Sequence, residues 1–562
     1  MRIPMKLKWT VTRFLSSFAW GVLLFGGFTA KAAKLIGDTS HPTNSIFIKN
    51  EEVQLNFIIS ELPPNATNQY LSVTISDVDG KILQQNQMPL VANADGLTKV
   101  VLKAPSNRLG YYEVIAKLSS GEMLPPRGTR EAGYLTYMVT MDPTERPIGG
   151  EDAHFGLQGG FPSGFDLPKL LGVTWVLGEF NWSKDEPDHA GQYAERRRRE
   201  RLAQADSSST AGDTVPLFCL IINGVPDWAQ SVKNGKKLKG VVGNLEAWRQ
   251  YCREAALAVV AKYPFLKQHV FQVTWEPYVP WNFEGTDEDI IRMHKIAYSA
   301  LHEIDPKAVV IGPTGASINS GDIDWNRRLL KKGLDAYIDA LSIHPYIVEP
   351  PEKNGLVANL RDLKNAVRTN AHKRLEIYGT EQGFSTKGKR SMERTQAIWL
   401  LRTYLITAGE GLKVNLGFYA CDFASQPGYG FFHNLVIDRE PWSPSVVSPK
   451  PIAAAYAALT QTIEGFRSAE EMANLGAGAM GYVFSKDDGA VLSLWDYLGT
   501  AHRLVFPKDS AAQITVIDWM GNMRSSATEN GRNYMLVKDE PVYICGFKAA
   551  DVVGYVAENF QK

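Results

Sequence analysis

Hydrophobic positions change their period twice along the chain, and the two changes divide it into three regions. From residue 34 to 147, apolar side chains recur at every second position: Val53, Leu55, Phe57 and Ile59, then Leu71, Val73 and Ile75, later Leu135, Tyr137, Val139 and Met141. A period of two puts alternate side chains on opposite faces of a strand, which predicts half-buried sheets. Asp79-Gly80 supplies a hairpin turn, while Pro63-Pro64-Asn65 and Pro125-Pro126 break the pattern. With no long helical stretch, the region is an expected β-sandwich. Met141 to Gly150, carrying Pro143 and Pro147, reads as its exit linker.

From 150 to 466 short apolar runs alternate with amphipathic helical segments. The strand candidates are Phe155–Gln158, Val173–Val176, Leu217–Ile221, Val270–Val273, Val309–Ile311, Ala340–Ile343, Leu375–Tyr378 and Val414–Tyr419. Asn244 can cap a helix whose stripe is Trp248, Tyr251, Cys252, Ala255, Ala256 and Val259,. Thr286 with Asp289 forms a capping-box pattern ahead of Ile290, Met293, Ala297, Leu301 and Ile304,. Buried strands that read as short apolar runs separated by amphipathic helices imply a parallel sheet, and eight β–α units predict a (β/α)₈ TIM barrel within an α/β fold. From 467 to 562 alternation returns, with strands at Tyr482–Phe484, Ala490–Trp495, Ile514–Ile517 and Pro541–Ile544 and turns at Asp488-Gly489 and Gly521-Asn522. A second, smaller β-sandwich is expected there.

Composition agrees with folded cores: 44% of the 562 residues are apolar and 21% charged,. Lysine plus arginine and aspartate plus glutamate balance at 60 each, so no global field favours nucleic acid or an anionic membrane,. The run Arg196 to Arg199 leads into Ser207-Ser208-Ser209 and reads as a solvated face,. Residues 1–33 carry the marks of an export signal. Arg2, Lys6, Lys8 and Arg13 precede the uncharged Phe14–Ala30, and Ala30-Lys31-Ala32 offers small residues for cleavage,. A secreted or periplasmic location, with no membrane attachment after cleavage, is the expectation. Cys219, Cys252, Cys421 and Cys545 are scattered, with neither disulfide-framework nor metal-cluster spacing, so no metal and no cofactor are expected,.

In a barrel of this kind chemistry gathers on the loops that follow the strands. Thr274-Trp275-Glu276-Pro277 follows the fourth strand, and Thr380-Glu381-Gln382-Gly383 ends the seventh. Two glutamates facing each other across a barrel mouth suit glycoside hydrolysis, in which one carboxyl protonates the leaving oxygen and the other attacks the anomeric carbon or activates water.

Several motifs then resemble clan GH-A, and most of all glycoside hydrolase family 39 and its relatives. Trp175 to Pro187 is similar to the segment closing the second strand, and Pro226-Asp227-Trp228-Ala229 to that after the third. Ser342-Ile343-His344-Pro345-Tyr346 resembles the sixth-strand His/Tyr pair, and Pro449-Lys450-Pro451 fits the opening of the last helix. The resemblance covers about 150 to 562. It implies retention of anomeric configuration, with Glu276 as acid/base and Glu381 as nucleophile acting on a β-linked oligo- or polysaccharide.

Two positions depart from the clan. Asparagine is usual before the acid/base, where its amide bonds the sugar 2-hydroxyl; here Trp275 stands there. Arginine is usual at the end of the second strand; the matching residue is Leu177. A reorganised subsite around the cleaved sugar follows, and a non-catalytic carbohydrate-binding barrel is the alternative reading. Tyr346 is expected to hydrogen-bond Glu381 and keep its pKa low, while desolvation raises that of Glu276. His344, Trp182, Trp275, Tyr278 and Trp281 are candidate sugar contacts, as are Asn223, Tyr419 and Asp422 at strand ends.

Overall fold

The computed structural model describes residues 33–561 apart from 63–68, 92–95, 147–152, 159–166, 197–216, 265, 267, 424, 438–444, 501, 507–513, 525–526, 530–531 and 547. Residues 1–32 of the expected export signal at 1–33, most of the arginine run with its serines, Pro63-Pro64-Asn65 and the end of the first linker lie outside the described residues.

The period-two region forms two sheets that share one core. Lys34–Thr39, Val53–Ser60 and Leu97–Ala104 make a three-stranded antiparallel sheet; Ile46–Ile48, Tyr134–Thr140, Gly110–Leu118, Tyr70–Asp77 and Ile82–Pro89 make a five-stranded one. Leu55, Phe57 and Ile59 of the first are buried with Leu71, Val73 and Ile75 of the second, as the alternation requires,.

The alternating α/β region closes into a parallel barrel of eight strands. They are Phe155–Gln158, Trp175–Asn181, Leu217–Asn223, Val270–Val273, Val309–Ile311, Ala340–Ile343, Glu376–Gln382 and Val414–Gly417. The eighth pairs back onto the first, Asn415 opposite Phe155 and Gly417 opposite Leu157. The fourth and sixth strands are buried at every residue, Gln272 and Ser342 included, which is why apolar side chains dominate them without the alternation of a half-exposed strand,. Close strand approach demands glycine at 156, where a Cβ would stand 2.2 Å from the carbonyl oxygen of Trp175,. Helices end where the caps place them. Asn244 accepts from the Ala247 amide, and Thr286 and Asp289 complete a reciprocal capping box. Inside the barrel Trp175, Leu177, Val270, Ile311, Ala340, Tyr378, Val414 and Leu416 form an apolar plug. Chemistry is thereby confined to the layer above it.

Helix Pro451–Ile463 is buried on nearly all sides, because the first β-sandwich packs on it as well as the barrel. Arg146, between the two, donates to the Ala457 carbonyl at 2.9 Å. The C-terminal region differs from the all-β expectation. Its five- and four-stranded sheets are joined by an α-helix, Ala549–Asn559, whose Val552, Tyr555 and Val556 are buried in the same core. Val552 and Val556 are spaced i, i+4 and so share the helix face that the sheets beneath it bury,. Among the described residues no helix is long and apolar enough to cross a membrane. Cys252, Cys421 and Cys545 are free thiols.

Candidate active site

The backbone leaves the fourth strand through a strained turn. Thr274 has φ 74° and Glu276 φ 46°, both in the left-handed region that non-glycine residues rarely adopt,. The Thr274 carbonyl accepts from Gln272 Nε2 at 3.2 Å, and the Glu276 carbonyl from Asn282 Nδ2 at 3.4 Å. These bonds sit on both sides of the turn. From this turn the Glu276 carboxylate reaches the sixth-strand side, where Oε1 lies 2.7 Å from Nδ1 of the fully buried His344.

Glu381 comes from the seventh strand and is 2% exposed. Its Oε2 accepts the Tyr346 hydroxyl at 2.9 Å and stands 3.5 Å from the same His344 Nδ1. One carboxylate oxygen from each glutamate and a ring nitrogen of His344 all lie within 4.8 Å of one another. Sequence reasoning placed His344 as a sugar contact; the structure puts it between the two carboxylates. These three groups also have the spacing of a metal-ligand cluster, and they are the residues that could hold a cation.

Burial decides the electrostatics. Desolvation lifts the Glu381 carboxyl to a pKa of about 7; His344 opposes the rise, the nearby Glu276 charge adds to it, and Tyr346 and Gln158 oppose it less strongly,. The expectation that Tyr346 keeps this pKa low is therefore corrected: one hydrogen bond does not offset the removal of water from a carboxylate under the barrel mouth. The Tyr346 hydroxyl, itself pushed up by burial and then by Glu381, stays protonated as a donor.

The sign of the consequence is fixed by linkage. Glu381 titrates at 4.5 when unfolded and about 7 when folded, so between these values the folded protein binds more protons and its stability falls as pH rises. Glu381→Gln removes the charge, so it is expected to stabilise the protein at pH 8 by at most about 3 kcal/mol, with most of the gain gone at pH 5. Urea unfolding at the two pH values measures this; an equal effect at both would show that ionisation is not its source.

The remaining predicted contacts divide by exposure. Trp281 is 67% exposed, while Tyr278, 40% exposed, tilts against Trp325 with ring centroids 5.3 Å apart. Trp275 packs against the apolar plug that contains Leu177, so the two departures from the clan belong to one hydrophobic patch. Along this side a cleft of about 350 Å³ runs between Glu179, Asn181, Gln230, Lys239, Trp275 and Asn282. Trp182 is not available to a sugar. It is fully buried between Trp228, Trp248 and Tyr251, with Nε1 donating to Glu186 at 2.8 Å, because the short helix Trp182–Asp185 turns it into the core. Tyr419 is 1% exposed and its hydroxyl donates to Gln426 at 2.9 Å. Asp422 is likewise closed off, ion-paired with Lys450 and bonded to two backbone amides. Asn223 ends the third strand opposite Asn181, and its side chain lies outside the described residues. His154 sits at the foot of the barrel, stacked on Phe466 at 3.8 Å.

Gln158, beside Glu381, was missed; it is the last residue of the first strand, and the rule that exposed Glu276 points to it as well. Asp322, buried near Glu276, was also missed. Its carboxyl, raised above the usual range by burial, is hydrogen-bonded by Ser317 at 2.5 Å.

No family model and no curated protein matches the chain. Solved structures do match. A family 39 glycoside hydrolase from the gut symbiont Bacteroides cellulosilyticus WH2 superposes with a TM-score of 0.63 at 17% identity, over 91% of this chain and all of that one. A family 30 endoxylanase from Clostridium papyrosolvens C71 matches at 13% identity over 72% of this chain and 97% of its own, TM-score 0.46. A family 51 α-L-arabinofuranosidase from Bifidobacterium longum matches at 9% identity over 71% and 97%, TM-score 0.46. The chain therefore shares the fold of a family 39 glycoside hydrolase along almost its whole length, and the likeness read from its motifs holds at the level of the fold.

Proposed function

We propose that this protein is a retaining glycoside hydrolase that cleaves β-glycosidic bonds of oligo- or polysaccharides, with Glu381 as nucleophile and Glu276 as acid/base. The observation that carries the reading is the spacing of the carboxylates. An oxygen of each lies within 4.8 Å of the other, close to the roughly 5 Å of retaining enzymes and short of the ~6.5–9.5 Å that leaves room for an inverting water. Glu381 attacks the anomeric carbon as Glu276 gives its proton to the departing oxygen. Glu276 then takes a proton from water, and that water's oxygen displaces Glu381 and releases the sugar. Burial raises the Glu381 carboxyl to a pKa of about 7, and the reactive form is the one in which Glu381 is ionised and free to attack. Trp281, the more exposed, and the side of Tyr278 turned away from Trp325 supply aromatic surface for sugar rings. The basic and then apolar opening of the chain supports action outside the cytoplasm,.

NMR of the first product formed from an aryl β-glycoside tests the reading. The β-anomer is expected; the α-anomer as first product would reassign the two carboxyls to an inverting mechanism. The reaction as written uses no metal, so dialysis against a chelator is expected to leave kcat unchanged. Loss of turnover with recovery on adding a divalent cation would instead assign Glu276, His344 and Glu381 to an ion. A second reading, a carbohydrate-binding barrel without turnover, is favoured by the apolar Trp275 and Leu177 where the clan is polar. Saccharide binding with no hydrolysis by the wild-type protein would establish it.

A further inference from the structure

Asp422 is 1% exposed and makes three charge-assisted contacts. Its Oδ1 accepts the amides of Gly428, at 2.9 Å, and Gly430, at 2.7 Å. Its Oδ2 lies 2.5 Å from Nζ of Lys450, which is equally buried. Thr129, from the first β-sandwich, donates to the same oxygen at 3.5 Å, and His433 Nδ1 is 3.9 Å away. The two amides flank Tyr429. Gln396 holds the other side of the backbone there, donating to the carbonyls of Gly428 and Tyr429 at 2.7 and 3.3 Å. At 430 the chain passes so close that a Cβ would stand 2.2 Å from the Asp422 amide nitrogen. The turn is thus fixed against Asp422 with no slack.

Its ring is fixed with it. Tyr429 meets Tyr346 edge-on, centroids 6.1 Å apart at 81°, and Phe418 at 5.3 Å and 80°. Phe418 in turn meets Tyr346 at 5.8 Å and 78°. Tyr346 stands in a bracket of two rings, one arm just past the eighth strand and the other on the turn that Asp422 pins. Its hydroxyl reaches Glu381 at 2.9 Å.

We propose that Asp422 is a positioning residue for the nucleophile: by holding the amides on either side of Tyr429 it seats that ring against Tyr346 and keeps the Tyr346 hydroxyl on Glu381. The proposal rests on the reading of Glu381 given above. A buried aspartate suits the task because one carboxylate oxygen accepts two amides while the other is neutralised by Lys450, leaving no unpaired charge. The ionisable groups facing Glu381 are Glu276, His344 and Tyr346, with Tyr419 farther off. Of these Tyr346 depends on the bracket for its position.

The test measures kcat, KM and the pH profile of kcat/KM on an aryl β-glycoside for Tyr429→Ala, Tyr429→Phe and the double variant Asp422→Ala/Lys450→Met. The double variant removes the pin without leaving a buried charge alone. Loosening Tyr346 weakens a hydrogen bond that favours ionised Glu381, so the acid limb moves to higher pH. Tyr429→Ala and the double variant are each expected to lower kcat about tenfold, leave KM within about twofold and shift the acid limb up by roughly half a unit or more. Tyr429→Phe keeps the ring and is expected to behave as wild type. With Glu381→Ala inactive, an unmoved acid limb in Tyr429→Ala, or a change in KM alone, would overturn the positioning role while sparing the nucleophile. Wild-type turnover by Glu381→Ala would overturn the underlying reading and this proposal together.

Discussion

Under the proposed mechanism Glu381→Ala is expected to lower kcat roughly 10⁴-fold, because it removes the group that forms the covalent intermediate while leaving acid catalysis and substrate binding in place. Few other side chains can take over. Tyr346 keeps its proton, and among the described residues the other groups acting on Glu381 are His344, Glu276 and Gln158, with Tyr419 farther off. KM for an aryl glycoside is expected to change little, since the carboxylate lies 2% exposed beneath the sugar and does not hold its rim. The shortened side chain leaves space for a small anion. Azide is therefore expected to restore turnover in a single displacement and give a glycosyl azide of inverted configuration, which polarimetry or NMR reads. Unchanged kcat in the alanine variant would remove Glu381 from the mechanism.

Glu276→Gln should show a dependence on the leaving group. An alkoxide departing from an oligosaccharide needs a proton, so kcat/KM on such a substrate is expected to fall about 10²–10⁴-fold. A dinitrophenolate departs without one, and formation of the glycosyl-enzyme then survives. The second step, in which Glu276 activates water, is slowed in both cases. With the activated substrate the intermediate accumulates: a burst of phenolate, followed by a slow steady state with a lowered KM. An equal loss on both substrates would separate Glu276 from proton transfer.

Much of this site was legible because a buried parallel strand writes itself as a short, mostly apolar run without alternation. Val270–Val273 and Ala340–Ile343 have the bounds read from the sequence, and the polar residues just beyond them, Glu276, His344 and Tyr346, stand together. The rule of looking past strand ends fails where a side chain has two burial options. Trp182 follows the second strand, yet three aromatic rings from other segments draw it inward. Asp422 follows the eighth, yet Lys450 and the amides of Gly428 and Gly430 claim its oxygens. Trp182 depends on partners far along the chain, and Asp422 on the path of its own loop and on Lys450; local periodicity encodes neither. The elevated pKa of Glu381 escaped for the same reason: the sequence names its hydrogen-bond donor but not how much water is excluded around it.

The strands that carry the two glutamates belong to different halves of a ring whose last member pairs with its first at Asn415–Phe155. Neither half alone brings the carboxylates together, and no hairpin or single β–α unit does so. Function therefore arrives only when sequence-distant segments have met, which makes assembly slow relative to local helix formation. Catalytic turnover becomes a sensor of complete ring closure. A refolding chain is expected to recover helical ellipticity well before activity, and two fragments split after the fourth strand are expected to be inert apart and active only when complementation rebuilds the ring.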